Sequence, residues 1–279
     1  MNIQEALVYG RSQLTPTSPT PQLDARLLLE HLLEVPHSYL IVHHNQPLTA
    51  EQTAAYHQLI ARATQTEPIP YIIGHAPFFD FDIHVAPGVL IPRPETEQLV
   101  ELAVAWARKH DAQTAVDVGT GSGCIAITLA HFLPSLQVTA VDISPQALAI
   151  AQQNGARLAP GRVHFQQSNL LSALETPVDL IVANLPYVTS GEWQGLADGV
   201  KLHEPALALD GGADGLDLIR QLLQQATTRL RPGGAIFLEI GWQQGTIAQQ
   251  AAQHCFPEAQ ITVLPDFAGH DRIVKIVST

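Results

Sequence analysis

The chain reads as an α/β protein, in which a mostly parallel sheet with flanking helices follows a small amino-terminal helical domain. Three observations predict this class. Residues 1 to about 66 carry apolar positions at helical spacing. At Thr114 to Val118 a β-branched run breaks into Gly119-Thr120-Gly121-Ser122-Gly123 and then into the apolar helix Ile125 to Phe132, the strand, tight turn and helix of a parallel unit. From Pro94 to the end, strand patterns alternate with helical ones.

The division expected is a helical bundle over 1–67, a β-hairpin linker over 68–92 and an α/β domain over 93–279. Leu23, Leu27, Leu28 and Leu32 recur at helical spacing. Thr49 is the expected N-cap of a helix carrying Tyr56, Leu59, Ile60 and Ala63. Beyond Pro68, Pro70, Gly74, Pro77 and Pro87-Gly88 punctuate short apolar runs such as Phe78 to Ile83, the pattern of a hairpin. Pro94 opens a helix with Leu99, Val100, Ala103, Val104 and Ala107 on one face. A second strand, Gln137 to Val141, ends in Asp142, and Ser144-Pro145 caps the helix after it. Arg231-Pro232-Gly233-Gly234 is expected to turn the chain from a helix ending near Leu230 into the strand Ala235 to Ile240. Gln260 to Leu264 and Arg272 to Val277 stand too close in sequence for a crossover helix, so this pair is predicted to be antiparallel.

Composition narrows the function classes. The 279 residues, 46% of them hydrophobic, suffice for one sizeable core and a small accessory domain. With Cys124 and Cys255 alone, no disulfide framework is expected. The 14 basic residues face 26 acidic ones, a formal charge of -12, and no Lys or Arg run forms a phosphate-tracking stripe, so nucleic acid is disfavoured as a direct substrate. No signal segment opens the chain, and no apolar run reaches the ~20 residues of a membrane helix. A soluble cytoplasmic protein without membrane association is expected. His43, His44, His203, His254 and His270 lack metal-ligand spacing and read as surface or capping residues, so no metal is expected. Asp210 to Gly215 lacks the oxygen spacing of a calcium loop.

The glycine loop is a ligand loop in the right context. Its spacing is Gly-x-Gly-x-Gly, not the dinucleotide Gly-x-Gly-x-x-Gly, and an acid at Asp117 suits a cationic ligand better than a pyrophosphate. Asp142, about twenty residues on, stands where a carboxylate accepts both hydroxyls of a ribose. A nucleoside with a positive tail describes S-adenosylmethionine better than NAD. Downstream, the apolar strand Ile181-Val182-Ala183 delivers Asn184-Leu185-Pro186-Tyr187 to its carboxyl end. Alone, this is a proline turn closing a buried strand. Beside a donor loop it offers two neutral acceptors, the Asn184 side-chain oxygen and the carbonyl of Leu185, with the Tyr187 ring as a plane, for a planar amino group.

With these motifs in place the chain closely resembles the release factor glutamine methyltransferases, over nearly all 279 positions. The resemblance is carried by Leu23 to Leu29, Pro70 to Gly74, the signature-like Ile91-Pro92-Arg93-Pro94-Glu95-Thr96-Glu97, the Asn-x-Pro-Tyr turn, and Asp266 to Arg272. It implies a class I methyltransferase fold, Rossmann-like with a seven-stranded sheet, S-adenosylmethionine as donor, and methyl transfer to a glutamine N5 in the Gly-Gly-Gln of class-1 peptide chain release factors. It implies that Gly119, Thr120, Gly121, Ser122 and Gly123 bind the methionine side, that Asp142 holds the ribose, and that Asn169-Leu170 lies near the adenine in place of the family's Asp and bulky residue. Leu185 replaces the family's usual proline, and since the acceptor there is a main-chain carbonyl, function is expected to survive.

Arg93, Glu95, Thr96 and Glu97 read equally as lining of the donor mouth or as a charged helix start. Two further classes stay open. An RNA adenine-N6 methyltransferase shares the Asn-x-Pro-Tyr turn, against which stand the acidity and the Ile91–Glu97 stretch; a nicotinamide-binding dehydrogenase or nucleotide sensor is disfavoured by the glycine spacing. Within the resemblance, a ribosomal protein is the alternative source of the glutamine.

Overall fold

Capping chemistry sets the element boundaries of the amino-terminal helices. The computed structural model describes all residues, 1 to 279. They form two units, Met1–His75 with Ala197–His203, and Ala76–Leu196 with Glu204–Thr279.

In the first unit, α1 (Ile3–Leu14) begins at a capping box in which Asn2 and Glu5 exchange hydrogen bonds, and α4 (Ala50–Thr64) repeats the device with Thr49 and Gln52. Between them lie α2 (Pro21–Leu33) and α3 (His37–Val42), and α5 (Ile69–Ile73) follows. Their shared core includes Ile3, Leu28, Leu29, Leu40, Tyr56 and Ile60, and the buried Tyr56 hydroxyl donates to the Ala25 carbonyl at 3.0 Å. On α2 the buried stripe is Ala25, Leu28 and Leu29, whereas Leu23 is 41% exposed, so the face is rotated from the one the leucine spacing suggests. Small Ala25 lets the helix approach Tyr56, which the leucine count could not show. Pro70 enters the first turn of α5 instead of an extended linker start, because its fixed φ suits a helical N-terminus.

The second unit opens with the hairpin β1 (His75–Phe78) and β2 (Phe81–His84) and continues through α6 (Pro94–Lys109), β3 (Thr114–Val118), α7 (Cys124–Phe132), β4 (Gln137–Asp142), α8 (Pro145–Leu158), β5 (Val163–Gln167) and β6 (Val178–Ala183). The short α9 (Asp198–His203) belongs to the first unit. Then come α10 (Asp217–Ala226), β7 (Leu230–Glu239), α11 (Gly245–Cys255), β8 (Gln260–Pro265) and β9 (Asp271–Val277). The seven strands lie in the order β5-β4-β3-β6-β7-β9-β8, parallel from β5 to β7, with β9 antiparallel to both β7 and β8. Near-continuous apolar runs such as Leu180 to Ala183, fully buried, reflect a sheet covered on both faces.

Arg231 to Gly234 does not separate helix from strand. Helix α10 ends at Ala226, and β7 already pairs Leu230 with Val178 before the register jumps to Ala235 against Leu180. Gly233 takes φ +75°, so the Pro-Gly-Gly segment is an irregularity within one long strand. Strands β3 and β6 are neighbours, although the chain visits β4 and β5 between them. That is a topological switch point, and a ligand crevice is expected outside the carboxyl ends of these strands.

Candidate active site

Sheet register brings three loop starts to one level. Val118 pairs with Val141 on one side and with Ala183 on the other, so Gly119, Asp142 and Asn184 leave the sheet side by side. Above them is a cavity of about 300 Å³ lined by Gly119, Thr120, Gly121, Ser122, Asp142, Asn169, Leu170, Asn184, Leu185 and Pro186 among others. Arg93 and Thr96 of the Ile91–Glu97 stretch also reach it, as do Ile143 and Leu207.

The glycine loop is closed by backbone bonds, both internal and to the end of β4. The N–H groups of Gly119 and Thr120 both donate to the Val141 carbonyl, at 2.9 and 3.0 Å, and Gly123 N donates to the Thr120 carbonyl at 2.8 Å. Gly119, Gly121 and Gly123 have φ of +73°, +56° and +84°, a left-handed conformation open to glycine at little cost. A Cβ on Gly119 would also stand 2.9 Å from Leu185 Cδ2, so this glycine lets the loop pack against the Asn184–Tyr187 turn.

Asp117 is not on the cavity wall. It is fully buried beneath the loop, where Oδ2 accepts from Thr120 Oγ1 at 2.6 Å and from Ala126 N at 3.1 Å. Loss of hydration pushes its carboxyl up to about 7, and Oδ1 has no partner. The acid thus ties loop to helix and is turned away from the cavity, because its strand position points it inward. Gly123 likewise sits off the wall, packed toward Ala151 and Ile127 as the left-handed N-cap of α7.

Asp142 does face the cavity. Its Oδ2 accepts from Gly121 N and its Oδ1 from Ser144 N, both at 2.9 Å, which fixes the carboxylate plane while each oxygen keeps a lone pair free. Burial raises its pKa despite these backbone donors. Asn169 is exposed at the rim, and Leu170 takes φ +53°, strained for a branched side chain, with its carbonyl held by Ser168 Oγ at 2.7 Å. That strain lies at the cavity edge and had no signal in the sequence.

The Asn184–Tyr187 turn is held by distant side chains. Asn184 Nδ2 donates to Thr96 Oγ1 at 3.0 Å, Thr96 Oγ1 donates to Glu239 Oε2 at 2.7 Å, and the Tyr187 hydroxyl donates to Glu239 Oε1 at 3.2 Å. Thr96 is 2% and Glu239 1% exposed, and burial raises the Glu239 pKa. Tyr187 does not line the cavity with Asn184: its hydroxyl points at Glu239, and it borders a second depression with Trp242 and Arg272. Gln244, 5% exposed, donates to the carbonyls of Tyr187 at 2.8 Å and Asp214 at 3.1 Å. The motif residues divide: Arg93 pairs with the buried Glu204, Glu97 accepts from Phe79 N at 2.6 Å, and Thr96 meets Asn184. Glu204, Glu239 and Gln244 escaped the sequence reading because the partners that tie them to the site, Ile91, Thr96 and Tyr187, lie 52 to 143 positions away.

The cavity fits S-adenosylmethionine on its own chemistry. The glycine stretch leaves room for a tail close to backbone, Asp142 presents free acceptors for vicinal hydroxyls, and Ile143, Leu170 and Leu207 offer apolar surface for a base. No helix is long and apolar enough to cross a membrane.

Comparison with known proteins agrees with this geometry. The family model of the PrmC N-terminal domain matches residues 5–74, and that of the methyltransferase small domain matches residues 96–198. Release factor glutamine methyltransferases from Koribacter versatilis and Moorella thermoacetica are 44% and 41% identical, covering 92% and 90% of this chain and 91% and 89% of their own. That of Bacillus anthracis is 35% identical over 98% of both chains. Among solved structures, a ribosomal protein L11 methylase from Lactobacillus delbrueckii subsp. bulgaricus has a TM-score of 0.51 at 25% identity, covering 73% of this chain and 88% of its own. The 16S rRNA N2 G1207 methyltransferase of T. thermophilus, solved with AdoMet and guanosine, shares the fold at TM-score 0.52 and 19% identity, covering 74% of this chain and 50% of its own. With a mostly parallel seven-stranded sheet, a helical amino-terminal unit and relatives aligned along nearly its whole length, the chain belongs to the release factor glutamine methyltransferase family.

Proposed function

We propose that this enzyme transfers a methyl group from S-adenosylmethionine to the side-chain nitrogen of the glutamine in the Gly-Gly-Gln motif of class-1 peptide chain release factors. The observation that carries the reading is the meeting, on one cavity wall, of the glycine loop and Asp142 with Asn184 and Leu185. Gly119 to Ser122 hold the methionine side, Asp142 accepts from the ribose hydroxyls, and Asn169 and Leu170 border the base. When bound, S-adenosylmethionine supplies an electrophilic methyl on a sulfonium, so the glutamine nitrogen gains a methyl and releases one proton.

A carboxamide nitrogen is a poor nucleophile because its lone pair is delocalised into the carbonyl. Asn184 Oδ1 and the Leu185 carbonyl accept its two protons, which orients the nitrogen and stabilises the positive charge that develops on it. Neither acceptor is a strong base, and none is required when dipoles are already aimed at the reacting group. The acidic composition, with 26 acidic against 14 basic residues, favours a protein partner over direct nucleic-acid binding.

Incubation with donor and purified release factor, followed by mass analysis of the Gly-Gly-Gln peptide, should show one added methyl on the glutamine side chain. Methyl incorporation into isolated RNA or into a ribosomal protein, with none in the release factor, rejects the assignment.

A further inference from the structure

We propose that Thr96 and Glu239 are positioning residues that set which end of the Asn184 carboxamide faces the glutamine. An asparagine side chain is nearly symmetric in shape, so packing alone does not choose between its oxygen and its nitrogen. The acceptor role assigned to Asn184, on which this proposal rests, needs the oxygen turned toward the substrate. A flipped amide would present N–H groups to an amide nitrogen that itself carries protons.

The choice is made by hydrogen-bond polarity passed inward from the buried carboxylate. Held as a carboxylate, Glu239 accepts at both oxygens, taking the Tyr187 hydroxyl on Oε1 and the Thr96 hydroxyl on Oε2, at 3.2 and 2.7 Å. Thr96 has a single hydroxyl proton. Once that proton points at Glu239, Oγ1 can only accept on its other side, where Asn184 stands at 3.0 Å. Only the Nδ2 end satisfies an acceptor, so Oδ1 is left for the cavity that Asn184 lines. Burial raises the Glu239 pKa, and the hydroxyls of Thr96 and Tyr187 with nearby Arg272 oppose that rise by favouring the carboxylate. The Thr96 hydroxyl therefore acts through Asn184, and the residue type matters more than its volume.

The relay is 1 to 2% exposed at Thr96 and Glu239, so water does not compete for these bonds. Thr96→Val keeps the shape and removes the relay, and Thr96→Ser keeps the hydroxyl. Against a release-factor substrate, Thr96→Val should lower kcat about 10- to 100-fold, the loss expected when a buried polar group is mispaired, while KM for the donor stays nearly unchanged. Thr96→Ser should restore all but a few-fold of the loss. Equal losses in both variants, an unchanged kcat in the valine variant, or a donor KM that rises in step with the loss of kcat would each overturn the proposal.

A second measurement needs neither substrate nor variant. In the wild-type protein, a nuclear Overhauser contact between the Asn184 side-chain NH2 and the Thr96 methyl group is expected, and its absence would also overturn the proposal. Should the wild type methylate no release factor, the functional reading fails while this contact still decides the amide orientation.

Discussion

Two loops meet at the cavity, the exit of β3 and the exit of β6, and they are held by opposite means. Gly119 to Gly123 closes on its own and neighbouring backbone, with Val141, Asp142 and Asp117 as near partners. Asn184 to Tyr187 is fixed by side chains from α6, from the end of β7 and from the segment before α11: Thr96, Glu239 and Gln244. The first loop draws its bonds from itself and from the exit of the adjoining strand β4, so pairing of β3 with β4 is enough to shape it. One built from remote partners acquires its shape only once the domain has folded. Binding a donor asks little more than room and a few acceptors, whereas aiming a carboxamide oxygen asks for a specific rotamer, and the second demand is the one met by long-range contacts.

The largest expected effect separates the two exits. Asn184→Ala removes the acceptor but leaves the glycine loop and Asp142 intact, so turnover should fall about 10²- to 10³-fold, the usual cost of a missing charge-stabilising group. Donor affinity measured by calorimetry should change only a few-fold. A parallel collapse of donor binding would show that the two exits act as one site.

Legibility from sequence follows the same division. The glycine loop, Asp142, the Ser144 cap on Pro145 and the antiparallel closing pair were readable because each is encoded within a few residues. The motif Ile91–Glu97 was visible as a signature, and each of its two readings covers part of it: Arg93 and Thr96 reach the cavity, while Glu95 and Glu97 stand in the first turn of α6, where Glu97 also accepts from the Phe79 backbone. No residue near Glu239 in the sequence marks it, and its role needs Thr96, 143 positions away. Asp117 shows the converse limit. Its position in the strand was plain, yet whether the carboxylate faced ligand or core depended on which face α7 covers.

The buried Asp117 supplies the next test, directed at the root of the locally built loop. Its folded-state pKa of about 7 lies above the ordinary value of 3.8, so the folded protein binds an extra proton between these limits. The contribution is fully present below about pH 4 and is lost as pH rises through 7, because the slope of unfolding free energy with pH is negative where the folded state holds more protons. The change is about 2 to 4 kcal/mol for a shift of this size. Urea denaturation at pH 5 and pH 8 should therefore show a difference between wild type and Asp117→Asn that changes with pH by that amount. A difference independent of pH would mean that the carboxylate is ionised throughout.

Gly119→Ala tests the seam between the exits. A side chain there meets both an unfavourable φ of +73° and the Leu185 side chain at 2.9 Å, a combined cost of about 2 kcal/mol. Donor affinity and turnover should fall together here, unlike in Asn184→Ala, because the substitution displaces the donor loop and the acceptor turn at once. A loss confined to donor affinity would show that the turn is insensitive to its neighbour.

Gln244→Leu addresses the remote support of the second exit with the smallest expected effect. The glutamine oxygen accepts from Gly241 N at 2.8 Å while its nitrogen bridges the carbonyls of Tyr187 and Asp214, so one side chain joins three separate segments. Leucine has similar volume and none of these bonds. Since the carbonyls lie in a partly buried region open to the second depression, water can replace some of the lost donors, which limits the cost to about 1 kcal/mol. Thermal unfolding should shift downward by a few degrees, and KM for the release factor should rise more than KM for the donor. The asymmetry matters more than the size: Gln244 touches the acceptor turn and no part of the glycine loop, so an equal rise in both constants would show that the two exits share their support after all.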